Sequence, residues 1–302
     1  MTNTTGSSQS YVADTRNEDV IVYVDGEFKP KHQATVSIFD SGFVLGDGVW
    51  EGIRLVDGRL IALDEHMERL YQGAASISLD IGVTREALVG LIGKRWREND
   101  MHDGVHIRLM VSRGLKSTPN QDPRFLRGKA TIVIVAEHKV VDKAAKAQGL
   151  TLFTSTFRCS SPDVFDPPQL PQSAQLHPGA DPGDQCRRQR GADARPPWLR
   201  RQLQLDQLLH RSRWRTVDLD RTLQLQWHHH KTVMRLAREA GIVVRELDFT
   251  LAQTYTADEA FVTGTLGGLT PVYRLDGHAI VNRRDASLMQ RLAALYDDYL
   301  RG

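Results

Sequence analysis

The chain has 302 residues, 40% of them hydrophobic, and a formal net charge of +2 at pH 7. That is enough for one large domain or two ordinary ones with substantial cores, and a charge so near zero gives no reason to invoke nucleic acid or an anionic membrane as partner. Two cysteines, Cys159 and Cys186, fit neither a metal-ligand spacing nor a disulfide framework, which suits the cytoplasm, and no apolar stretch approaches the length of a membrane span.

Residues 1–19 are polar and rich in Ser and Thr, so a disordered tail is expected there. The run Val20-Ile21-Val22-Tyr23-Val24 before Asp25-Gly26 predicts a hairpin. Asp64 is placed to cap an amphipathic helix in which Met67, Leu70 and Tyr71 recur at helical spacing, and a second helix is expected from Thr84 to Asn99. The β-branched runs His106 to Ser112 and Ala130 to Ala136 read as central strands. Strands and helices mixed in this way predict an α/β or α+β domain over residues 20–143.

After a strand at Thr151 to Phe157, the pattern fails from about Pro168 to His230. That stretch holds no Lys, Glu, Ile, Phe, Tyr, Met or Asn, while Arg, Gln, Leu, Pro, His and Asp crowd it. A disordered linker, an Arg-rich nucleic-acid-binding insert and translation in the wrong frame are the three readings of it. Single-strand binders stack bases on aromatic rings, and only Trp198, Trp214 and Trp227 are present, which counts against the insert. His228, His229 and His230 lack further ligands at usable spacing, so no metal site is expected. From Thr232 ordinary enzyme sequence returns, with a helix to Ala240 closed by Gly241, a strand Ile242 to Val244, a strand Ala257 to Phe261, a tight loop Thr263 to Gly268 and a closing helix Ser287 to Leu300.

Three segments carry chemistry. Gly46-Asp47-Gly48-Val49-Trp50-Glu51-Gly52-Ile53-Arg54 is followed at a fixed distance by Glu65-His66-Met67-Glu68-Arg69-Leu70, and Thr263-Gly264-Thr265-Leu266-Gly267-Gly268 lies near the C-terminus. Taken alone, the four glycines Gly42, Gly46, Gly48 and Gly52 are as much a structural loop as a binding one, Arg69 could simply pair with Glu65 one turn away, and Thr-Gly-Thr could be a plain turn. In this order the first two resemble the signature of class IV (fold type IV) pyridoxal-phosphate aminotransferases, the branched-chain and D-amino-acid kind, and the third is similar to that family's second phosphate loop.

The resemblance covers residues 20–167 and 231–302. It implies a two-domain α/β fold, with an N-terminal domain over 20–143 and a C-terminal cofactor domain over 144–302 interrupted by 168–230, the cofactor lying between them. It implies pyridoxal 5'-phosphate as cofactor, an amino acid and a 2-oxo acid as substrates, and a homodimer for an intact relative. By the same resemblance Arg69, Thr263, Gly264 and Thr265 bind the phosphate, Leu45 and Trp50 line the substrate pocket, and Arg108 faces the substrate carboxylate or a bound water. A strand arginine needs an anionic or polar partner in any case, so a structural ion pair is the alternative for Arg108.

The family's chemistry needs a lysine bound to the cofactor as an imine, and an anion beside the pyridine nitrogen. No lysine lies between Lys146 and Lys231, and no glutamate between Glu137 and Glu239. Lys146, on an alanine-rich helical run, reads as a solvated surface residue, and Lys231 falls too late. No catalytic lysine is therefore assigned, and the chain as it stands is expected to be inactive. Shifting the reading frame forward by one nucleotide over the middle offers a reason. Trp198 then becomes Gly, Gln207 to Leu209 permit Asn-Phe-Phe, Trp214 to Asp218 permit Gly-Glu-Leu-Trp-Thr, and Gln226 to His229 permit Asn-Gly-Ile-Thr. These are features the family carries in that order. The offset starts near Pro167 and ends at about Lys231; around Pro171 to Leu176 it returns no unambiguous lysine.

Overall fold

The computed structural model describes residues 13–139, 141, 143–155, 191–193, 207–212, 215–218, 228–246, 249–280 and 287–302, with backbone alone for the three short stretches between 191 and 218. They fall into two compact units, one of residues 13–139 and one of the described residues from 141 onward.

The first unit contains β1 (Ile21–Val24), β2 (Glu27–Pro30), α1 (Ser41–Leu45), β3 (Gly48–Val56), β4 (Arg59–Leu60), α2 (Leu63–Ser76), α3 (Arg85–Glu98), β5 (Val105–Ser112) and β6 (Thr131–His138). Its strands form one antiparallel sheet in the order β2-β1-β6-β5-β3-β4. The first hairpin turns at Asp25 and Gly26, both at positive φ, as the sequence predicts. Strand alternation does the sorting of side chains. Val105, Ile107, Leu109 and Val111 of β5 are buried on one face, where Met67 and Leu70 of α2 and Leu88 and Ile92 of α3 join the same core. Each such side chain contributes roughly 1.5–3 kcal/mol through burial. The alternate residues Trp50, Arg54, His106 and Arg108 stay half-buried on the other face, and Met110 is exposed.

Two expectations change here. Asp64 does not cap α2: the helix starts at Leu63 after Ala62, which is left-handed and makes no side-chain cap, and Asp64 sits inside the first turn, where its charge still favours the helix dipole. The expected tail does not extend to residue 19. Asp14 caps a 3-10 turn over Thr15–Asn17, and the buried Asn17 donates to the His138 carbonyl (2.8 Å) and accepts from its N–H (2.7 Å). Residues 1–12 lie outside the described residues.

The second unit contains α4 (Lys143–Ala147), β7 (Leu150–Ser155), β8 (Gly191–Asp193), β9 (Gln207–Ser212), β10 (Arg215–Asp218), α5 (His228–Glu239), β11 (Val244–Glu246), α6 (Leu251–Tyr255), β12 (Glu259–Gly264), β13 (Gly268–Leu275), β14 (His278–Ala279) and α7 (Leu288–Arg301). The sheet is mixed, in the order β11-β10-β9-β12-β13-β7-β8, with β14 beside β13. Leu150, Leu152, Phe249, Val262, Val272 and Leu275 form its core. Buried Glu259 accepts from Ser287 Oγ and from the N–H groups of Leu288 and Met289, so a carboxylate neutralises the start of α7. Helix α5 begins at His228, five residues before Val233, and β11 starts two residues later than Ile242. Most of the atypical stretch 168–230 lies outside the described residues; the backbones of β8, β9 and β10 fall within it.

Candidate active site

Alternation in β3 turns Glu51 toward the helices, between the core residues Val49 and Ile53. A carboxylate there must be paired, because desolvation of an unpaired charge is costly. Helix α2 supplies the partners from positions three residues apart, which share one helical face. Arg69 Nε donates to Glu51 Oε1 at 2.6 Å and Arg69 Nη2 to Oε2 at 2.6 Å, while His66 Nδ1 lies 2.7 Å from Oε2. The Glu51 and His66 side chains are each 1% exposed and Arg69 is 10% exposed. Burial pushes the Glu51 carboxyl upward, yet the hydrogen bonds from Arg69 and His66 outweigh it and hold the group below its ordinary value. Arg69 is thus a fixed guanidinium, and its partner is Glu51 rather than Glu65.

On the opposite face of the same sheet the Arg108 guanidinium stacks 4.0 Å from the Trp50 ring centroid. The register places Gly52 directly across from Arg108 and Arg54 across from His106. A Cβ at Gly52 would lie 2.9 Å from His106 Nε2 and 4.0 Å from Trp50 Cζ3, so this glycine leaves the room that the two rings occupy. Burial lowers the Arg108 pKa, with the Glu51 charge opposing. Among the described residues no ion pair joins Arg108 to a carboxylate. Leu45 ends α1, half-buried, three residues before β3 begins.

Thr263, Gly264 and Thr265 belong to the second unit. Thr263 is buried in β12 opposite Leu269, Gly264 pairs with Gly268, and Thr265 opens the three-residue turn between β12 and β13. Gly268 is left-handed at φ 56. The turn is therefore a tight hairpin of three residues between β12 and β13.

The class IV amino-transferase profile matches residues 48–168. A putative branched-chain-amino-acid aminotransferase of Methanocaldococcus jannaschii is 30% identical over 290 residues, which is 92% of this chain and 95% of that protein. The chain belongs to the class IV aminotransferases. Branched-chain-amino-acid aminotransferase-like protein 2 of Arabidopsis thaliana is also 30% identical, over 93% of this chain, although the chain spans only half of that relative's length. A D-alanine aminotransferase of Listeria monocytogenes is 25% identical over 90% of the chain. The branched-chain aminotransferase of Thermoproteus uzoniensis, solved with norvaline, shares the fold at a TM-score of 0.81 and 23% identity, covering 93% of this chain and 95% of that one. The expected fold type IV architecture is thereby met.

The quoted motifs named Arg69, Trp50 and Arg108 but not the side chains that surround them. Glu51 and His66 stood inside the quoted motifs; a carboxylate at an inward strand position was the available signal. His106 had no comparable signal, since its neighbours come from β3 and β6. Lys146, read as solvated, is half-buried, with its Nζ 3.7 Å from where a Cβ on Gly268 would lie. His229, in the run of three histidines, is buried with Nδ1 2.5 Å from Tyr296 Oη, and among the described residues no group of three His, Cys, Asp or Glu could hold a metal.

Proposed function

We propose that this aminotransferase is built to move an amino group between a branched-chain amino acid, a D-amino acid or an amine and a 2-oxo acid, using pyridoxal 5'-phosphate. The observation that carries the carboxylate half of this reading is Arg108: a half-buried guanidinium, oriented by Trp50 and without an anionic partner among the described residues, is set to receive a substrate carboxylate. Arg69 is assigned to the cofactor phosphate because Glu51 fixes it in one orientation, and the Thr263-Gly264-Thr265 hairpin is assigned to the same group. Leu45 and Trp50 are assigned to the substrate pocket.

The cofactor fits this chain in part. Donors suited to its phosphate are present, but the stretch between Lys146 and Lys231 provides no lysine to hold it covalently. When bound, the cofactor supplies an electron sink for the substrate's Cα. The chain as it stands binds it through the phosphate alone and does not turn over; a product that only docks cofactor or a partner subunit is the second reading. The shifted frame supports treating the middle as altered. Its Asn-Phe-Phe string falls on the start of β9, the strand that pairs with β12, and its Gly-containing string begins in the gap between β9 and β10. A cytoplasmic homodimer is the assembly proposed.

Treating the purified chain with pyridoxal phosphate and borohydride should leave no single lysine peptide modified, whereas the amine form of the cofactor, pyridoxamine phosphate, needs no lysine and should bind. Arg69→Ala should weaken that binding about tenfold or more, as loss of charge-assisted hydrogen bonds requires. One modified peptide containing Lys146 or Lys231, accompanied by turnover of an amino acid, would refute the inactive reading. Unchanged affinity in Arg69→Ala would make Arg69 structural.

A further inference from the structure

Arg113 is the first residue past β5, and its guanidinium, 18% exposed, joins that strand to two other segments. Nε donates to Asp47 Oδ2 at 2.7 Å and Nη2 to Oδ1 at 3.0 Å. Nη2 also donates to the Ile77 carbonyl at 2.7 Å, and Nη1 to the Ser78 carbonyl at 2.8 Å. The Arg113 backbone N–H donates to the Asp47 carbonyl as well. Asp47 stands one residue before β3, and a Cβ at Gly48 would lie 2.4 Å from the Val111 carbonyl oxygen, so the turn is pressed against the end of β5. Ile77 and Ser78 lie just past α2, and Ser78 is left-handed at φ 52, a position that glycine ordinarily takes. Arg113 engages both carbonyls of this exit turn and sets a cation at the negative end of the helix dipole.

We infer that Arg113 is a positioning residue for Arg69, fixing the far end of α2 on the sheet so that the Arg69 guanidinium meets the cofactor phosphate at one place. The inference rests on the reading of Arg69 as the phosphate residue. Met67, Leu70 and Ala74 press α2 onto the sheet, but apolar burial is non-directional and sets no register. Glu51 grips the helix only in its first half, through His66 and Arg69. A rod held directionally at one point pivots; Arg113 is the second point, two helical turns beyond Arg69. Asp47 aims the guanidinium, and only the planar fork of an arginine reaches the carboxylate and both carbonyls together.

The full chain is titrated with pyridoxamine phosphate by calorimetry, each variant having first matched the parent's far-ultraviolet circular-dichroism spectrum. Arg69→Gln, which still offers Glu51 a donor, should bind about tenfold more weakly. Arg113→Gln should bind about three- to tenfold more weakly, and the 31P resonance of the bound phosphate should move from its position in the parent. Arg113→Lys keeps the charge without the fork and should recover less than half of the loss. In the Arg69→Gln background, Arg113→Gln should change affinity less than about twofold, because the group it positions is gone. Should Arg113→Gln fail to fold, Asp47→Asn, which leaves the carbonyl contacts and removes the charge that aims them, carries the same comparisons. If Arg69→Gln binds weakly while Arg113→Gln binds as the parent does, the inference falls alone. An equal loss in both backgrounds, an unmoved 31P resonance, or full recovery in Arg113→Lys would make Arg113 a general support of the unit and overturn it. If Arg69→Gln binds as the parent does, or the parent does not bind, the reading of Arg69 falls and takes the inference with it.

Discussion

At the scale of single residues, the first unit keeps two kinds of charge on the two faces of one sheet. Glu51 is buried and fully engaged; Arg108 is half-buried and, within the described residues, lacks an anion. Removing one partner of the first would strand a buried charge, while the second keeps a half-buried guanidinium without an anion within the described residues. Both Glu51 and His106 have pKa values below their ordinary ones in the folded chain, so in each case the unfolded state takes up the proton more readily. The stability they contribute is present at neutral pH and is lost as pH falls: from about 6.5 downward for His106, and below the usual carboxylate range for Glu51. Urea titrations between pH 7 and pH 4 should show stability falling by up to about 1.4 kcal/mol per pH unit from His106, the slope for one proton. His106→Gln should remove that part of the slope. An unchanged slope in the variant would mean that His106 titrates normally and that its surroundings do not exclude charge.

At the scale of elements, most of what the sequence predicted came from alternation and caps. The strands β5 and β6 and the helix α3, with Thr84 accepting from Ala87 N–H at 3.2 Å, sit close to where the pattern put them because each signal is local. What was missed depends on distant partners: Asn17 is ordered by His138, and Arg69 is claimed by Glu51 from another element. The stretch 168–230 is the opposite case, a segment without local signals. It offers one valine, three tryptophans and leucines with no sustained strand period, among prolines and arginines that oppose burial. Limited trypsin digestion should therefore cut first at the arginines between Arg187 and Arg221, with Arg211 and Arg215 slower than the others because they stand on paired strands. Arg113 supplies the reference, since it holds Asp47 through two hydrogen bonds and also binds the Ile77 and Ser78 carbonyls at the end of α2. Cleavage between Arg187 and Arg201 as slow as at Arg113 would make the stretch a folded insertion, and the frame reading would have to be given up.

At the scale of the whole molecule, the question is what covers the first unit's exposed apolar residues. Ile38 is 68% exposed and Phe43 73%, with Val36, Phe39, Leu115 and Phe125 also open to solvent. They are not scattered. The Lys116 N–H donates to the Phe39 carbonyl and the Ser117 N–H to the Phe125 carbonyl, and Asp40 and Leu115 form a bridge, so the segments 36–43 and 115–125 lie side by side. Six large apolar residues gathered on adjoining segments exceed what a monomer's surface ordinarily leaves in water, and a second copy of the chain is the occupant that the proposed homodimer provides. Light scattering at micromolar concentration should give twice the chain mass for the parent protein. The double variant Ile38→Glu with Phe43→Glu should give the single mass with an unchanged far-ultraviolet circular-dichroism spectrum, because both side chains are exposed and their replacement leaves the core intact, whereas charges facing one another across a two-fold interface repel. A parent that is monomeric, or a double variant that stays dimeric, would place the subunit contact elsewhere and leave this surface for another partner.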